Sequence, residues 1–307
     1  MLRQILVGLF IVMILALPKD VCFAVEANEE WNPVSAGPVT TWTAPLCGKG
    51  KLVVQPFLFY NRTRGAFDND SHYDKLPEGN KKYQYQEQIF AQYGITDRFE
   101  LDAQTVYQQN YAKEGELKAH SAGFGDSYLF ARYCFIEEEC FVPHIAGIFQ
   151  LKAPTGKYQH ADADKLGTDL MGATSGGGSW DEGAGLVLTK KIKPFVLHGN
   201  FIYSMPQEVK VDGVKTRYAN YLNYDFGVEY FFIKGFNLML EANGFLQSDK
   251  KEDNDKISNS GVNYVTVSPG IGWSNEKIQT LIAYQRVLAG TNIDANDSVV
   301  LTCVYTF

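Results

Sequence analysis

From about residue 51 onward the chain alternates apolar and polar positions with a period of two. In Phe99-Glu-Leu-Asp-Ala-Gln-Thr-Val-Tyr107, Phe99, Leu101, Ala103 and Tyr107 fall on one side, and Glu100, Asp102 and Gln104 on the other. Successive side chains of a strand point to opposite faces, so this segment carries one apolar and one polar face. The pattern recurs at 51–61, 83–93, 99–109, 124–135, 141–152, 179–189, 194–204, 218–230, 236–247, 264–273, 278–287 and 298–307, which predicts twelve strands.

The connections alternate between short turns (94–98, 136–139, 190–193, 231–235, 274–277) and longer polar loops (62–82, 110–123, 153–178, 205–217, 248–263, 288–297). Strands of about ten residues in an even-numbered up-and-down antiparallel sheet, with one tight end and one elaborate end, match a transmembrane β-barrel. The predicted fold is all-β, a 12-stranded antiparallel barrel with short periplasmic turns and longer extracellular loops. Lipid offers no partner for backbone polar groups, so the sheet must close. The alternative is a water-soluble barrel or sandwich with its apolar residues inward, which alternation alone does not distinguish. Aromatic residues near strand ends (Tyr93, Phe99, Tyr133, Phe195, Tyr230, Phe236) favour the membrane, where they form an interfacial girdle. Pro56, Pro143 and Pro269 fall inside predicted strands, where bulges or shifted boundaries are expected, and Glu87 falls on the outward parity.

The N-terminus reads as an export signal. Arg3 precedes the apolar stretch Ile5 to Leu17, and small residues allow cleavage after Ala24 or Ala27. Cys22 follows Lys19-Asp20-Val21, which disfavours lipidation. Residues 25–48, with Trp31, Trp42 and three prolines, form either a plug in the bore or a periplasmic tail; the barrel proper is 49–307.

Composition narrows the function classes. Lys and Arg number 28 against 35 Asp and Glu, a net charge of −7, and removal of residues 1–24 makes it 26 − 34 = −8, so no nucleic-acid partner is expected. Phe 20, Tyr 18 and Trp 4, with Gly 28, suit strands and turns. Beyond residue 17 no apolar run approaches the length of a spanning helix.

Pairing neighbouring strands places inward polar residues against one another. Glu100 comes opposite Arg132 with Asp102 one step away, an ion pair near the periplasmic mouth that either braces the wall or sets selectivity. His198, Asp225 and Glu241 are expected side by side at mid-depth, with Asn200, Asn223 and Asn243 one step above; neighbouring carboxylates there would share a proton or a cation. Cys134 and Cys140 share parity across a tight turn, so an oxidising periplasm predicts a hairpin disulfide. A second bridge, Cys47 to Cys303, is a weaker expectation at the barrel seam. Asp68, Asp70 and Asp74, and the run 249–255, lack calcium-loop spacing, so no metal and no cofactor are expected. His72, His120 and His160 fall at the rim with Ser71, Ser121 and Asp162, but no hydrolase motif joins them.

Gly123-Phe-Gly-Asp126-Ser-Tyr-Leu-Phe-Ala-Arg132-Tyr133, then Pro154-Thr-Gly156, Gly178 to Gly185, Phe226-Gly-Val-Glu-Tyr230 and Pro269-Gly-Ile-Gly272, resemble in order the landmarks of the family named for the MetA pathway of phenol degradation. Arg132 stands where that family usually has Lys. The resemblance implies an outer-membrane barrel related in role to carriers of hydrophobic compounds, and draws Asp126 into the candidate set. The last strand, ending in Phe307, resembles the closing strand of bacterial outer-membrane proteins, whose terminal Phe the barrel assembly machinery recognises. The expected function is a passive outer-membrane channel of a Gram-negative bacterium for small organic molecules, aromatic or hydrophobic ones among them, with outer-membrane lipids as surroundings. The alternatives are a structural or adhesive barrel and a rim-active hydrolase.

Overall fold

The computed structural model describes residues 31–35, 37–156, 178–211 and 213–307; the predicted export signal, His160 and Asp162 lie outside them. Twelve long strands form the wall: β1 (Leu52–Phe67), β2 (Lys81–Thr96), β3 (Phe99–Glu114), β4 (Ser127–Ile136), β5 (His144–Ala153), β6 (Asp181–Ile192), β7 (Phe195–Pro206), β8 (Tyr221–Ile233), β9 (Phe236–Gln247), β10 (Val262–Ser274), β11 (Ile278–Thr291) and β12 (Ile293–Thr306). Each pairs antiparallel with its sequence neighbour, and β12 pairs with β1, so the sheet closes without an edge. This is the predicted all-β, twelve-stranded up-and-down barrel.

Burial follows the alternation. Leu101, Leu129, Phe149, Leu186, Leu240, Ile282 and Leu301 are exposed on the outer face, whereas Glu100, Asp102, Arg132, Glu229 and Glu241 are buried inside. Tyr93, Tyr133, Phe195, Tyr230 and Phe236 are exposed near the tight end, where an aromatic girdle belongs. The bore is only partly polar: Phe57, Phe90, Phe130, Val187, Ile202, Leu281 and Val300 point inward and pack with Val39, Ala44 and Trp42 of the N-terminal segment.

The structure corrects two predicted loops. Residues 110–123 continue β3, turn at Gly115 (φ 58°) and return as the short strand Leu117–Phe124. Residues 288–297 are strand on both sides of Asn292 (φ 52°). Polar residues there read as loop, yet a ladder that has left the hydrocarbon layer still satisfies its backbone groups by pairing. The prolines leave gaps in the ladder. β1 and β12 pair at Val54↔Tyr305 and next at Phe57↔Thr302, skipping Pro56, and β10 and β11 skip Pro269 in the same way. Pro143 lies just before β5. Glu87 stays outward and exposed, opposite Leu58 and Tyr107.

Candidate functional site in the bore

The N-terminal segment from Trp31 to Lys51 crosses the interior as a strap. Glu241 on β9 accepts five hydrogen bonds from it: Val39 N at 2.8 Å, Thr40 N at 3.0 Å, Thr40 Oγ1 at 2.9 Å, Thr41 N at 2.8 Å and Thr41 Oγ1 at 2.9 Å. Trp42 N donates to Asn200 Oδ1 (3.1 Å), Ala44 N to Thr189 Oγ1 (2.9 Å) and Cys47 N to Glu100 Oε2 (2.7 Å). Nearer the tight end, Ser35 Oγ donates to Glu229 Oε1 (2.7 Å) and Gln279 Nε2 to the Gly37 carbonyl (3.2 Å). The strap therefore visits strands on opposite walls. Gly227 makes room for it: a Cβ there would come within 2.8 Å of Pro38 Cγ.

Glu100, Asp102 and Arg132 meet on the inner wall as the strand pairing predicts. Glu100 lies opposite Arg132 in the ladder and accepts from its Nη2, while Arg132 Nε donates to Asp102 Oδ2 at 3.1 Å. Arg132 Nη1 donates to the Thr43 carbonyl at 2.6 Å, and its guanidinium lies 5.0 Å from the Trp42 ring centroid. This buried ionic group thus holds the strap as well as the wall.

The second predicted row is corrected. The ladder puts Gly227, not Asp225, between His198 and Glu241, a shift of two residues along β8. Asp225 instead accepts from Asn200 Nδ2 (2.6 Å) and Asn243 Nδ2 (3.0 Å), so two amides rather than a second carboxylate flank it. His198 Nε2 meets Glu229 Oε2 at 3.0 Å, and its Nδ1 meets Thr189 Oγ1 at 3.0 Å. Asn223 lies opposite Ile202 and Phe245 and lines a cavity rather than joining this network. Glu229 escaped the sequence reading because its role depends on the strap and on Asn237, which donates to its Oε1.

The disulfide expectation is also corrected. Cys134 is a buried free thiol whose Sγ lies 3.2 Å from His144 Nε2, while Cys140, exposed beyond the end of β4, belongs to a disulfide that does not include Cys134. Parity is undefined across a non-strand connection, so shared parity did not bring Cys134 and Cys140 together. Cys47 and Cys303 are free as well. Phe307 N donates to the Leu52 carbonyl at 2.9 Å at the seam.

Acidic loop groups serve local structure. Asp68 Oδ1 accepts from Asp70 N and His72 N, both at 2.8 Å, and Asp68, Asp70 and His72 have ligand atoms within 4.8 Å of one another. Asp249 accepts from Ser260 N and Gly261 N and pairs with Lys256 at 3.1 Å. At the rim, Ser71 Oγ contacts Thr291 Oγ1 and His120 stacks on Tyr111, so among the described residues these two have different partners.

Cavities lie on both sides of the strap. One of about 180 Å³ is lined by Trp42, Gln104, Tyr128, Phe130, Gln150, Ile202, Asn223 and Asp225. Tyr128 and Phe130 lie parallel at 5.9 Å, and Trp42 meets Phe130 edge-on at 4.8 Å. Another, of about 270 Å³, includes Pro33, Pro45, Leu46, Thr189, His198 and Gln279 and opens toward the tight end.

Three of the sequence landmarks converge at the outer rim. Gly156 N donates to Asp126 Oδ1 (3.1 Å), and Thr155 Oγ1 to the Gly125 carbonyl (3.0 Å). Lys152 Nζ lies 2.7 Å from Asp181 and 3.6 Å from Asp126. The model of the family described as "Putative MetA-pathway of phenol degradation" matches residues 82–293, well over half of the chain. The chain belongs to this family. Within this phenol-degradation family fold, the landmarks are the joint where β4, β5 and β6 begin or end around Lys152.

Among solved structures, the chain is similar to an outer membrane channel from Pseudomonas putida F1 (16% identity, 91% of this chain and 100% of that one, TM-score 0.68). It is also similar to the translocator domain of the autotransporter NalP from Neisseria meningitidis (11% identity, 85% and 89% covered, TM-score 0.45). The first likeness shows that the two chains share a barrel fold. No curated protein matches in sequence.

Proposed function

We propose that this protein is a passive outer-membrane channel of a Gram-negative bacterium that admits small organic molecules, with its N-terminal strap as the gate. The observation that carries this reading is the aromatic cavity bounded by Trp42, Tyr128 and Phe130 directly against the strap. Its apolar faces suit a flat ring or short alkyl chain, and Gln104, Gln150, Asn223 and Asp225 offer hydrogen bonds to a single polar substituent. Twelve strands close to a backbone diameter of roughly 24 Å, too narrow for a folded protein once side chains point inward. Passage requires the strap to leave, or to shift off Glu241 and Asn200. The printed description of the family and the fold of the Pseudomonas channel support the same class.

The extent of the strap's bonding favours a second reading, a closed structural barrel. Flux into proteoliposomes of a graded panel, from sugars through phenols to alkylbenzenes, decides between them. The channel reading expects uptake of the small aromatic members, faster when residues 31–46 are deleted. No flux of any solute through either protein would leave the structural barrel.

A further inference from the structure

The outer surface carries a one-sided arrangement that the bore does not use. On the outward face of β2, Tyr83 is followed two residues nearer the rim by Lys81. On β3 Tyr111 is followed by Lys113, and on Leu117–Phe124 His120 is followed by Lys118. The ladder sets Lys81 opposite Lys113 and Lys113 opposite Lys118. Directly opposed residues share a face, so three ammonium groups stand in one row. Beneath them the rings form a continuous shelf: Tyr83 stacks on Tyr111 at 4.8 Å and Tyr111 on His120 at 4.5 Å, with Tyr60 5.2 Å from Tyr85. β1 and β11 repeat the device, with Arg62 beyond Tyr60 and Arg286 beyond Tyr284. On the opposite wall the same step leads to apolar residues, Met205 beyond Tyr203 on β7 and Leu222 beyond Tyr224 on β8.

Like charges directly opposite one another across a ladder repel. Arg286 has an answer in Asp297, 3.6 Å away. Among the described residues the three lysines have no ion-pair or side-chain hydrogen-bond partner, and Glu114 and Glu116 in the intervening turn do not reach them. A chain with an overall charge of −7 has nonetheless concentrated unpaired cations on this strip of wall. Below the shelf the same outward face carries exposed Glu87 and then Ile89 and Leu101, so the shelf stands on the water side of the apolar band, where an anion of the outer leaflet meets it. Tyrosine shelves mark the interface between acyl chains and head groups, and cations just beyond them sit at head-group level.

We propose that Lys81, Lys113 and Lys118, above the Tyr83, Tyr111 and His120 shelf, bind the phosphates of an outer-leaflet phosphorylated glycolipid. The proposal rests on the outer-membrane reading of the barrel. The lysines neutralise the phosphates, and the ring faces pack against the sugar and the upper acyl carbons. The site orients one side of the barrel toward a bound lipid and leaves the bore untouched.

The test is native mass spectrometry and titration of the folded full chain in detergent, with bisphosphorylated lipid A as the probe. The comparators are the same lipid after dephosphorylation, phosphatidylglycerol and inorganic phosphate. Replacing all three lysines (K81Q/K113Q/K118Q) is expected to weaken lipid A binding roughly a hundredfold, from the usual contribution of a lysine at an anionic surface. Lys→Arg at the same positions is expected to retain binding, and K250Q/K251Q/K256Q in the loop beyond β9 to leave it unchanged. Heat-modifiable gel mobility verifies folding of every variant. Equal binding of the dephosphorylated lipid, unchanged binding by the Gln triple variant, or full displacement by equimolar inorganic phosphate would overturn the proposal. Solute flux through the same proteins reports on the channel reading independently, because the three lysines lie outside the bore.

Discussion

Thr41 and Glu241, 200 residues apart in sequence, are joined twice: the Thr41 backbone N–H and its hydroxyl both donate to Glu241 Oε2, at 2.8 and 2.9 Å. With Val39 and Thr40 they make the carboxylate the main anchor of the strap. Hydrogen bonds to a charged group contribute roughly 1.5–3 kcal/mol each. Glu241→Ala, which leaves those donors unsatisfied, is expected to free the strap. In planar bilayers its open probability should rise by about tenfold or more, and protease added from the tight-end side should cut within residues 31–46. Unchanged conductance and protection would show that Glu241 is not the latch.

Gly227 offers an orthogonal way to displace the strap. A Cβ at this position meets Pro38 Cγ at 2.8 Å and Thr41 Cβ at 3.4 Å, so Gly227→Leu should expel the strap while Glu241 stays intact. The expected phenotype is that of Glu241→Ala in conductance, with normal heat-modifiable mobility.

Arg132 balances two buried carboxylates, Glu100 and Asp102. Removing it leaves both uncompensated, a loss of about 3–5 kcal/mol in comparable buried pairs. Arg132→Met should lower the denaturant midpoint in detergent markedly. The triple change Glu100→Gln, Asp102→Asn, Arg132→Met should recover a large part of the loss, since it removes the charges together. If Arg132→Met alone unfolds at the wild-type midpoint, the network contributes nothing to stability.

Cys134 faces His144 inside the barrel wall and is free. Maleimide should modify it only after unfolding, and Cys134→Ala should leave non-reducing gel mobility unchanged. A mobility change would restore the Cys134–Cys140 hairpin disulfide.

Two loop carboxylates should make the outer rim acid-sensitive. Hydrogen bonding from the His72 backbone, with further help from Asp70 and His72, holds Asp68 below its ordinary value of 3.8; the Lys256 side chain and the Gly261 backbone do the same for Asp249. A carboxylate depressed on folding stabilises above its unfolded value and loses that contribution as pH falls through the folded one. Loops 68–75 and 249–261 are therefore expected to show smaller amide protection factors, with the intrinsic pH dependence of exchange divided out, at about pH 3 than at pH 6, with barrel strands unaffected.

Period-two alternation was enough to predict the strand count, the antiparallel order and the inward parity of Glu100, Asp102, Arg132, His198 and Glu241, because side-chain direction in a strand is a local property. The opposition of Glu100 and Arg132 was legible too, since the two strands meet near a tight end where the register error is small. Farther from a turn, that error moved Asp225 two residues away from His198 and Glu241. Polar stretches at 110–123 and 288–297 read as loops because polarity marks departure from lipid, not the end of a ladder. What only the tertiary structure decided is the course of the strap: residues 31–51 carry no periodicity, and their path depends on partners up to 244 residues away. The carboxylates of Glu229 and Glu241 acquired their roles from that path, as did Gly227, because a hydrogen bond across a closed bore has no signature in local sequence.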